Sequence, residues 1–520
     1  VNYWIDNLDS DEIPIEYKLL DYKPEPWTKL KVMLMMKNMA DMLSAGENDL
    51  ENTNALSLFG QAEYDKLFPE TYPEIDPVIP SGTNWTKDVI KVEQPNISFP
   101  LQLTKETIEK PDPRNGSNNF AVSGQKSMSG NAILANEPDL SLNLPSIWYV
   151  IQLHAPGVNV MGASLPGMPG VFIGHNDSIA WGLTNAKRDV LDWYQISFKN
   201  EERKEYAYDD KWLKTETVIE KFEVKNEDAY YDTLIFTHYG PVVYDRNFKS
   251  EEGKNSFAMK WTAHQGSNDF KTLYIINRAA NYPTFLSGFE YYSGPPQNFA
   301  FASVSGDIAL TIQGDFPAKW PGQGKFLLDG SDSRQEWQTM IPFEQNATVL
   351  NPPQGFVSSA NQHPVDSTYP YYVYDYRYEF YRNRRINDRL RVMENVSVND
   401  MIRLQNDNYN YRASESLPTM VNLLDSSNLS VKGMKSLDLV RKWDYFNEAT
   451  WVAPTIYQLW WDLFYEQVWD EFEGQEVALG KPHIYNTIHL MRNEPESKYF
   501  DNVSTSEVEP LSDLLTSTFL

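Results

Sequence analysis

The sequence predicts a mixed α+β protein whose strand-rich region is preceded and followed by helices. Between residues 117 and 330, short apolar runs alternate with Gly, Pro, Asn and Asp, the pattern of antiparallel strands joined by turns. The segments 30–43 and 451–472 are instead dominated by apolar residues over a helical length, and in the second these lie three or four positions apart. These observations place helices on both sides of a β-rich core.

The composition is that of a globular, acidic protein without cysteine. Its 520 residues, of which 41% are hydrophobic, suffice for one large domain or for two to three ordinary ones. The formal net charge of −27 argues against nucleic acid or an anionic membrane surface as a partner, because like charges repel. The lack of cysteine excludes disulfides, thiolate metal sites and cysteine nucleophiles. No apolar run approaches the ~18 residues of a membrane span, so no membrane insertion is expected.

The first long helix and the segment after it are the clearest features of the N-terminal part. Thr28 precedes the helical segment and is its candidate N-cap. Residues 30–43 are apolar on every side, which predicts a buried helix. Residues 69–116 are rich in Pro, Asn and acidic residues and lack periodicity. They predict a tail and linker, either a spacer that is trimmed or an ordered, loop-rich connection.

The remaining elements follow from the same patterns. Strands are expected at 147–153, 158–161, 207–221, 233–239, 257–262, 297–303 and 308–313. After about residue 377 the pattern changes to helix. Ser397 with Asp400 resembles a capping box, and the segment 451–472 is expected to bury one wide apolar face.

The step from Gly116 to Ser117 lies in a turn-forming stretch, NGSNNFAVSG at 115–124. The Ser117 hydroxyl can attack the preceding carbonyl, convert the peptide bond to an ester and let water cleave it. Ser117 would then carry a free α-amino group with a pKa near ~8, which can act as the base for its own hydroxyl. Taken alone, the same stretch is more simply a Ser/Asn/Gly surface loop.

Four further segments follow this stretch in order: SGNAILANEPDL (129–140), PGV (169–171), GHN (174–176) and WGLTN (181–185). With LLDYKPEPW at 19–27, the series resembles the penicillin acylase family of N-terminal-nucleophile (Ntn) hydrolases. The resemblance implies the Ntn-hydrolase αββα four-layer sandwich with an additional helical region. It also implies that the chain begins and ends inside a longer protein, because family segments upstream of the first motif and near the C-terminus are missing.

In this family one precursor is cut into two subunits. The resemblance therefore divides the chain into 1–68, the helical C-terminal part of an α subunit, 69–116, a tail or spacer linker, and 117–520, a β subunit. The β subunit would have a β-rich core to about 376 and a helical region at 377–520. The implied partner is the other subunit of an α/β heterodimer, and the implied location is periplasmic or secreted.

The implied activity is hydrolysis of an acyl amide after autoproteolysis between Gly116 and Ser117, with Ser117 as the N-terminal nucleophile. The substrate would be a penicillin or cephalosporin, an N-acyl homoserine lactone or another lipophilic acyl amide. By position in the motifs, the backbone N–H of Asn185 and the side-chain amide of Asn361 are the expected oxyanion donors. Taken alone, Asn361 is more simply an asparagine that caps a turn shortly before a proline.

Arg382 resembles the family arginine that lies near the nucleophile and organises the asparagine and the new N-terminus. A permanent cation there would also lower the pKa of the amine and keep it a free base. A solvated arginine in a basic run is the alternative. Arg384 and Arg385 stand close enough in the sequence to be confused with it.

Four positions match the family acyl pocket, and all are apolar without an aromatic ring: Met39, Leu43, Leu140 and Ile173. Such a pocket would hold an aliphatic or otherwise lipophilic acyl group by burial of apolar surface, at ~25 cal/mol per Å². Because none of the four residues is aromatic, a preference for phenylacetyl groups is less expected. Ordinary core packing would use the same residues.

The segment Asp189-Val190-Leu191-Asp192 offers two carboxylates and a main-chain carbonyl, the hard oxygen ligands that calcium takes. In the resembling enzymes it binds a structural calcium together with an acid from the α subunit, and Asp49 falls at that position. Calcium is therefore the expected cofactor, and no organic cofactor is expected. A solvated turn is the alternative interpretation.

Three rival functions use other features of the sequence. A Ser-His-Asp triad on an α/β-hydrolase fold is disfavoured because no G-x-S-x-G turn occurs and His175 belongs to a structural motif. A glycoside hydrolase would use paired carboxylates, but no pair stands out. A binding protein that keeps the fold and has lost activity is the stronger alternative, since Asp139 replaces the histidine that many family members have in this motif.

Overall fold

The computed structural model describes residues 1–85, 88–100, 103–105, 107, 110, 112, 115–243, 255–374 and 380–519. Its α-helices are α1 (Asn2–Asp6), α2 (Ile15–Leu20), α3 (Lys29–Ser44), α4 (Asp49–Phe59), α5 (Gln61–Leu67), α6 (Asp269–Ile276), α7 (Tyr282–Ser287), α8 (Tyr381–Val392), α9 (Val398–Gln405), α10 (Tyr411–Leu423), α11 (Val431–Arg441), α12 (Ala453–Val468), α13 (Ile484–Asn493) and α14 (Leu511–Phe519). Its strands are β1 (Asn118–Val122), β2 (Ile133–Glu137), β3 (Tyr149–Ala155), β4 (Val158–Ser164), β5 (Ile173–Asn176), β6 (Ile179–Asn185), β7 (Leu191–Gln195), β8 (Glu205–Tyr208), β9 (Lys211–Lys214), β10 (Glu216–Phe222), β11 (Tyr230–Phe236), β12 (Val242–Val243), β13 (Phe257–Trp261), β14 (Gln297–Ser303), β15 (Ile308–Gln313), β16 (Pro317–Ala318), β17 (Leu328–Asp329), β18 (Thr339–Met340), β19 (Thr348–Leu350) and β20 (Phe356–Ser359). None of the helices in this described part of the chain has the length and apolar character that crossing a bilayer requires.

Two antiparallel sheets lie face to face at the centre of the molecule. The first has the strand order β2-β1-β20, and the second, seven-stranded, has the order β19-β15-β14-β6-β5-β4-β3. Alternate residues of β1 point to opposite faces, and Ala121 shares an apolar core with Ala302 and Leu310 of the second sheet. Buried hydrogen bonds also cross between the sheets, such as the one that joins the Thr184 and Ser359 hydroxyls at 2.7 Å.

Helices cover the outer face of each sheet. Phe120 and Val122 alternate with Ala121 and share a different core with Ile386 of α8 and Met401 of α9. On the far side of the seven-stranded sheet, helices α3, α6 and α7 and the facing strands form another core: Met36, Met39, Leu273, Ile276, Phe285, Trp181, Phe299 and Phe301. The order of layers is therefore α, β, β, α, as predicted.

The C-terminal helices form a region of their own. Helix α12 buries the aromatic face that its sequence pattern predicts, and the side chains on it are Tyr457, Trp460, Trp461 and Phe464. Leu67 of α5 packs in the same core, so the N-terminal helices are attached to this region as well. The boundary predicted between residues 376 and 377 lies outside the described residues.

Helix α3 begins where the sequence predicts. Thr28 Oγ1 accepts the backbone N–H of Lys31 at 3.2 Å and caps the helix. The predicted burial on every side is wrong, because one side of the first half of the helix is exposed and carries Leu30, Met33 and Leu34. Met36 and Met39 are buried instead and pack against the seven-stranded sheet.

Most of the other predicted elements are present with shifted ends. The predicted capping box of Ser397 and Asp400 is confirmed at the start of α9. The single strand predicted at 207–221 is wrong, because Asp209 takes a left-handed conformation (φ 48°) and turns the chain from β8 into β9. Acidic residues such as Asp tolerate this conformation, which ends a strand.

The described part of the segment 69–116 contains no helix or strand and is nevertheless held against the core. The Val78 N–H donates to the His363 carbonyl and the Ile79 N–H donates to the Pro364 carbonyl, both at 2.9 Å. The side chains of Val78 and Ile79 are fully buried. This part of the segment is therefore packed against the core.

Candidate active site

Ser117 immediately precedes β1 and is 6% exposed. Strand β1 runs antiparallel to β20, and the pairing begins with Asn119 opposite Ser359. The same register, continued by two residues, brings Asn361 opposite Ser117. Asn361 takes a left-handed φ of 65°, which Asn tolerates better than most residues, and the chain turns away from the strand there. The pairing of two strands thus places the candidate donor beside the candidate nucleophile.

Three hydrogen bonds hold Ser117 between Asn185 and Asn361. Ser117 Oγ accepts the backbone N–H of Asn185 at 3.3 Å and the Nδ2–H of Asn361 at 3.1 Å. The Ser117 N–H donates to Asn361 Oδ1 at 2.9 Å. Two neutral N–H donors therefore converge beside the hydroxyl, and an oxyanion that forms on a carbonyl attacked by this hydroxyl needs such donors nearby.

The two asparagines are fixed by a buried polar network that the sequence analysis missed. Asn361 Nδ2 also donates to the Asn185 carbonyl at 2.9 Å, and Asn298 Nδ2 donates to the same carbonyl at 3.3 Å. Asn298 further donates to Ser359 Oγ at 3.0 Å. Asn298 is fully buried in β14, within the apolar sequence QNFAF. A polar residue inside an apolar strand is the signal that could have identified it.

Arg382 is the arginine of its basic run that reaches Ser117. It lies in the first turn of α8, where Nη1 donates to the Ser117 carbonyl at 3.1 Å and to Asn118 Oδ1 at 2.8 Å. Its Nη2 donates to Asn361 Oδ1 at 3.1 Å. The two neighbouring arginines pair with carboxylates elsewhere, Arg384 with Glu415 and Arg385 with Asp407, each at 2.7 Å. Arg382 therefore connects the start of β1 to Asn361.

The peptide before Ser117 is held by the motif in which Asp139 replaces a histidine. The Gly116 N–H donates to the Asp139 carbonyl at 2.9 Å, so this position acts through its main chain. The Asp139 side chain is exposed. The Arg382 guanidinium lies beside Gly116 as well. A β-carbon added to Gly116 would be 3.6 Å from it, an ordinary contact distance.

A largely apolar cavity lies against Ser117, Asn185 and Asn361. It is lined by all four residues predicted for the acyl pocket: Met39, Leu43, Leu140 and Ile173. The aliphatic character of these four positions does not extend to the whole cavity, because its lining also includes Trp148, Phe172 and Tyr292. These rings stand just before β3, just before β5 and after α7, segments that only the folded chain brings together.

The predicted calcium ligands also converge, but around an amine. Lys319 Nζ lies 2.6 Å from Asp189 Oδ2 and 2.7 Å from Asp192 Oδ1, and all three side chains are almost completely buried. Asp49, the first residue of α4, accepts the backbone N–H of Trp193 at 3.1 Å. Leu191 is held in the sheet, where β7 pairs with β13.

The charges in this cluster stabilise the Lys319 ammonium. Burial raises the pKa of Asp49 well above its usual range, and the charges of Asp192 and Asp189 raise it further. Burial alone would lower the pKa of Lys319, but the charges of Asp189 and Asp192 outweigh burial and raise it. The residues present therefore do not fit a calcium ion at the position of the ammonium, since two cations would repel each other. No group of His, Cys, Asp and Glu within the described ranges has the arrangement of a metal site.

The described histidines do not complete a Ser-His-Asp triad with Ser117. His175 is exposed on β5. His363 follows Asn361 by two residues and is buried, and burial with the charge of Arg188 lowers its pKa to about 4. Within the described part of the chain, Ser117 Oγ accepts its hydrogen bonds from amide N–H groups. The chemistry available at Ser117 is therefore that of a hydroxyl flanked by neutral donors.

Comparisons with known proteins agree with this arrangement. The family model described as Penicillin amidase matches residues 1–520. The chain is 28% identical over 369 residues to an acyl-homoserine lactone acylase, QuiP, of Pseudomonas syringae pv. syringae (strain B728a), covering 69% of this chain and 44% of the relative. It is 23% identical over 421 residues to penicillin G acylase of Escherichia coli, covering 70% and 48%. It thus spans less than half the length of these relatives.

Among solved structures, the chain resembles a thermostable penicillin G acylase from Alcaligenes faecalis. The TM-score is 0.62 at 20% sequence identity, and the match covers 77% of each chain. At this level of identity the likeness establishes the shared fold. It agrees with the four layers described above.

Proposed function

Because the chain belongs to the penicillin amidase family, we propose that it hydrolyses acyl amides with Ser117 as the nucleophile. The proposal includes self-cleavage between Gly116 and Ser117, which makes Ser117 the N-terminus of a β subunit that stays associated with its α subunit. The names of two relatives, an acyl-homoserine lactone acylase and a penicillin G acylase, support the reaction class.

The observation that carries the proposal is the pair of donors on Ser117 Oγ. The backbone N–H of Asn185 and the Nδ2–H of Asn361 lie 3.3 and 3.1 Å from it, beside an apolar cavity. Both donors are neutral, and both are held by bonds of their own: Asn361 to the Asn185 carbonyl, and the Asn185 side chain to the Leu43 carbonyl at 2.9 Å. Donors held in this way lie beside the attacking oxygen, where the oxyanion of an attacked carbonyl would develop.

In the cleavage step, Ser117 Oγ attacks the Gly116 carbonyl carbon, and the Oγ proton passes to the departing nitrogen of Ser117. The C–N bond breaks, so that the peptide becomes an ester and Ser117 gains a free amine. Water then hydrolyses the ester, giving the Gly116 carboxylate and restoring the hydroxyl. The bond from the Gly116 N–H to the Asp139 carbonyl and that from Arg382 to the Ser117 carbonyl support this step, because they hold the two sides of the scissile peptide.

In the hydrolytic cycle, the α-amine of Ser117 accepts the Oγ proton as Oγ attacks the substrate amide carbon. The resulting oxyanion takes the hydrogen bonds from Asn185 and Asn361. The C–N bond of the substrate breaks as the ammonium gives its proton to the leaving amine. The α-amine of Ser117 then deprotonates a water molecule. This water hydrolyses the acyl ester, and the proton returns to Oγ, which restores the Ser117 hydroxyl.

The acyl group of the proposed substrate is lipophilic. The cavity offers aliphatic and sulfur-containing side chains, such as Leu43 and Met39, together with the rings of Trp148 and Phe172. Both alkyl and aryl acyl groups would gain from burial there. A charged acyl chain would lose its hydration among these apolar side chains. Acyl-homoserine lactones and penicillin G, named in the relatives, are therefore the first candidates to assay.

The test is the intact mass of the denatured full-length protein, measured beside a Ser117→Ala variant and an exposed-serine control, Ser129→Ala. Wild type and Ser129→Ala should each give two fragments, one with Ser117 at its N-terminus, and release free amine from acyl amides. Ser117→Ala should stay a single inactive chain. An uncut wild-type chain without amidase activity would overturn the proposal and favour a binding protein of the same fold.

A further inference from the structure

The cluster around Lys319 differs from what the family resemblance implies for this place. The resemblance places a structural calcium among Asp49, Asp189 and Asp192. Here the Lys319 ammonium lies 2.6 Å from one aspartate and 2.7 Å from the other, and the side chains of Lys319, Asp189 and Asp192 are 4%, 3% and 0% exposed. Lys319 follows β16 directly, so the short strand holds its backbone in place.

We propose that Lys319 is a built-in replacement for the calcium ion and that this protein neither binds calcium at Asp189 and Asp192 nor depends on it. A calcium ion would have to lie about 2.3–2.6 Å from the same carboxylate oxygens, which is the space that Nζ fills. At such a separation the ion and the ammonium would repel each other strongly in a buried site.

The second oxygen of Asp192 is also engaged. Trp337 Nε1–H donates to Asp192 Oδ2, while Lys319 binds Oδ1. Asp192 therefore has a positive or polar donor on each oxygen, as a buried carboxylate requires when no metal is bound. A bidentate metal contact by Asp192 would have to displace both.

The backbone around the cluster is closed as well. Gly324 takes a left-handed φ of 78°, and a β-carbon there would overlap Asp192 Oδ1 and Lys319 Nζ and come within 2.7 Å of Asp189 Oδ2. The Gly324 backbone thus packs directly on the three charged groups. On this side of the cluster there is no room for a calcium ion beside the ammonium, and an ion could enter only where Nζ now lies.

The first experiment measures calcium in the full-length wild-type protein. Protein exposed to millimolar calcium and then dialysed against metal-free buffer is analysed by inductively coupled plasma mass spectrometry, and its Tm is recorded with EDTA and with added calcium chloride. We expect far less than one calcium per chain and the same Tm under both conditions. One calcium per chain, with a Tm that falls in EDTA, would overturn the proposal.

The second experiment removes the ammonium. Lys319→Met keeps most of the side-chain volume but leaves Asp189 and Asp192 without their cation, so its Tm should fall by several degrees and should rise again with millimolar calcium. The matched control is Lys325→Met, which removes another buried lysine, one that pairs with Glu70 at 3.0 Å. It should lose Tm without a calcium response.

A Lys319→Met protein as stable as wild type, with no response to calcium, would show that the ammonium does not compensate these carboxylates and would contradict the proposal. Should Lys319→Met fail to fold, the calcium content and chelation response of the wild-type protein decide the question. Neither measurement depends on amidase activity, so the outcome is separate from that of the proposed function.

Discussion

Asn361 and Ser117 bind each other twice: Asn361 Nδ2–H donates to Ser117 Oγ at 3.1 Å, and the Ser117 N–H donates to Asn361 Oδ1 at 2.9 Å. One side chain therefore positions both atoms that the proposed mechanism uses, the hydroxyl oxygen and the nitrogen that becomes the free amine. The amide orientation is fixed from the other side, because Arg382 donates to the same Oδ1.

Replacing Asn361 with Asp should impair the chemical step. The substitution keeps the shape of the side chain and tolerates the left-handed backbone, but it removes the N–H donor. We expect kcat on an acyl amide to fall about 100- to 1,000-fold with little change in KM, because the donor acts on the oxyanion. The control is Asn395→Asp, at an exposed asparagine with a φ of 51°. Wild-type kcat in Asn361→Asp would contradict the assignment.

Arg382→Lys should slow the self-cleavage. Lysine keeps the charge but cannot reach the Ser117 carbonyl, Asn118 and Asn361 at once, as the guanidinium does. The loss of hydrogen bonds to a charged donor should slow the appearance of fragments about 10- to 100-fold in a mass-spectrometric time course. Arg385→Lys, on the same helix but paired with Asp407, should cleave at the wild-type rate. Equal slowing in both variants would indicate a general effect on α8.

The parts of this site that the sequence could predict are those carried by local motifs. Asn185 and the four acyl-pocket residues could be assigned because short segments of the sequence resemble the family pattern, and Ser117 stands in such a segment too. The layers could be predicted too, because strands with period two and helices with period near 3.6 each leave one face to bury. The sequence could not decide firmly which of three neighbouring arginines contacts Ser117, because that depends on where α8 begins.

The parts that could not be predicted depend on contacts between distant segments. Lys319 meets Asp192 across 127 residues, and Asn298 meets Ser359 across 61, with no motif around either. The ring of Tyr292 reaches the cavity from a segment that no strand or helix pattern marks. The exposed side of α3 was also missed, because composition shows how apolar a helix is but not how many of its faces are covered.

Met39→Phe should reduce activity on substrates with long acyl groups. Met39 lines the cavity and is 6% exposed, whereas Met33 on the opposite side of α3 is 50% exposed. A ring at position 39 takes up cavity volume, so kcat/KM should fall tenfold or more for the longest acyl amides and little for the shortest, since one methylene is worth about 1–3 kcal/mol in such a pocket. Met33→Phe is the control and should keep the wild-type profile. A uniform loss over a chain-length series would contradict the role of Met39 in the acyl pocket.

His363 should make the protein less stable in mild acid. Burial holds the pKa of His363 at about 4, below its ordinary value of 6.5, so the unfolded chain binds a proton in this range that the folded chain does not. The contribution of His363 is therefore fully present above pH 6.5 and is lost as the pH falls towards 4, by about 1.4 kcal/mol of unfolding free energy per pH unit. In His363→Gln the loss between about pH 7 and pH 5 should be smaller than in wild type by about 2 kcal/mol, measured by urea unfolding. Unfolding at about pH 8, where the histidine is neutral in both states, gives the cost of the substitution itself. A pH dependence identical to that of wild type would show that His363 does not titrate on unfolding in this range.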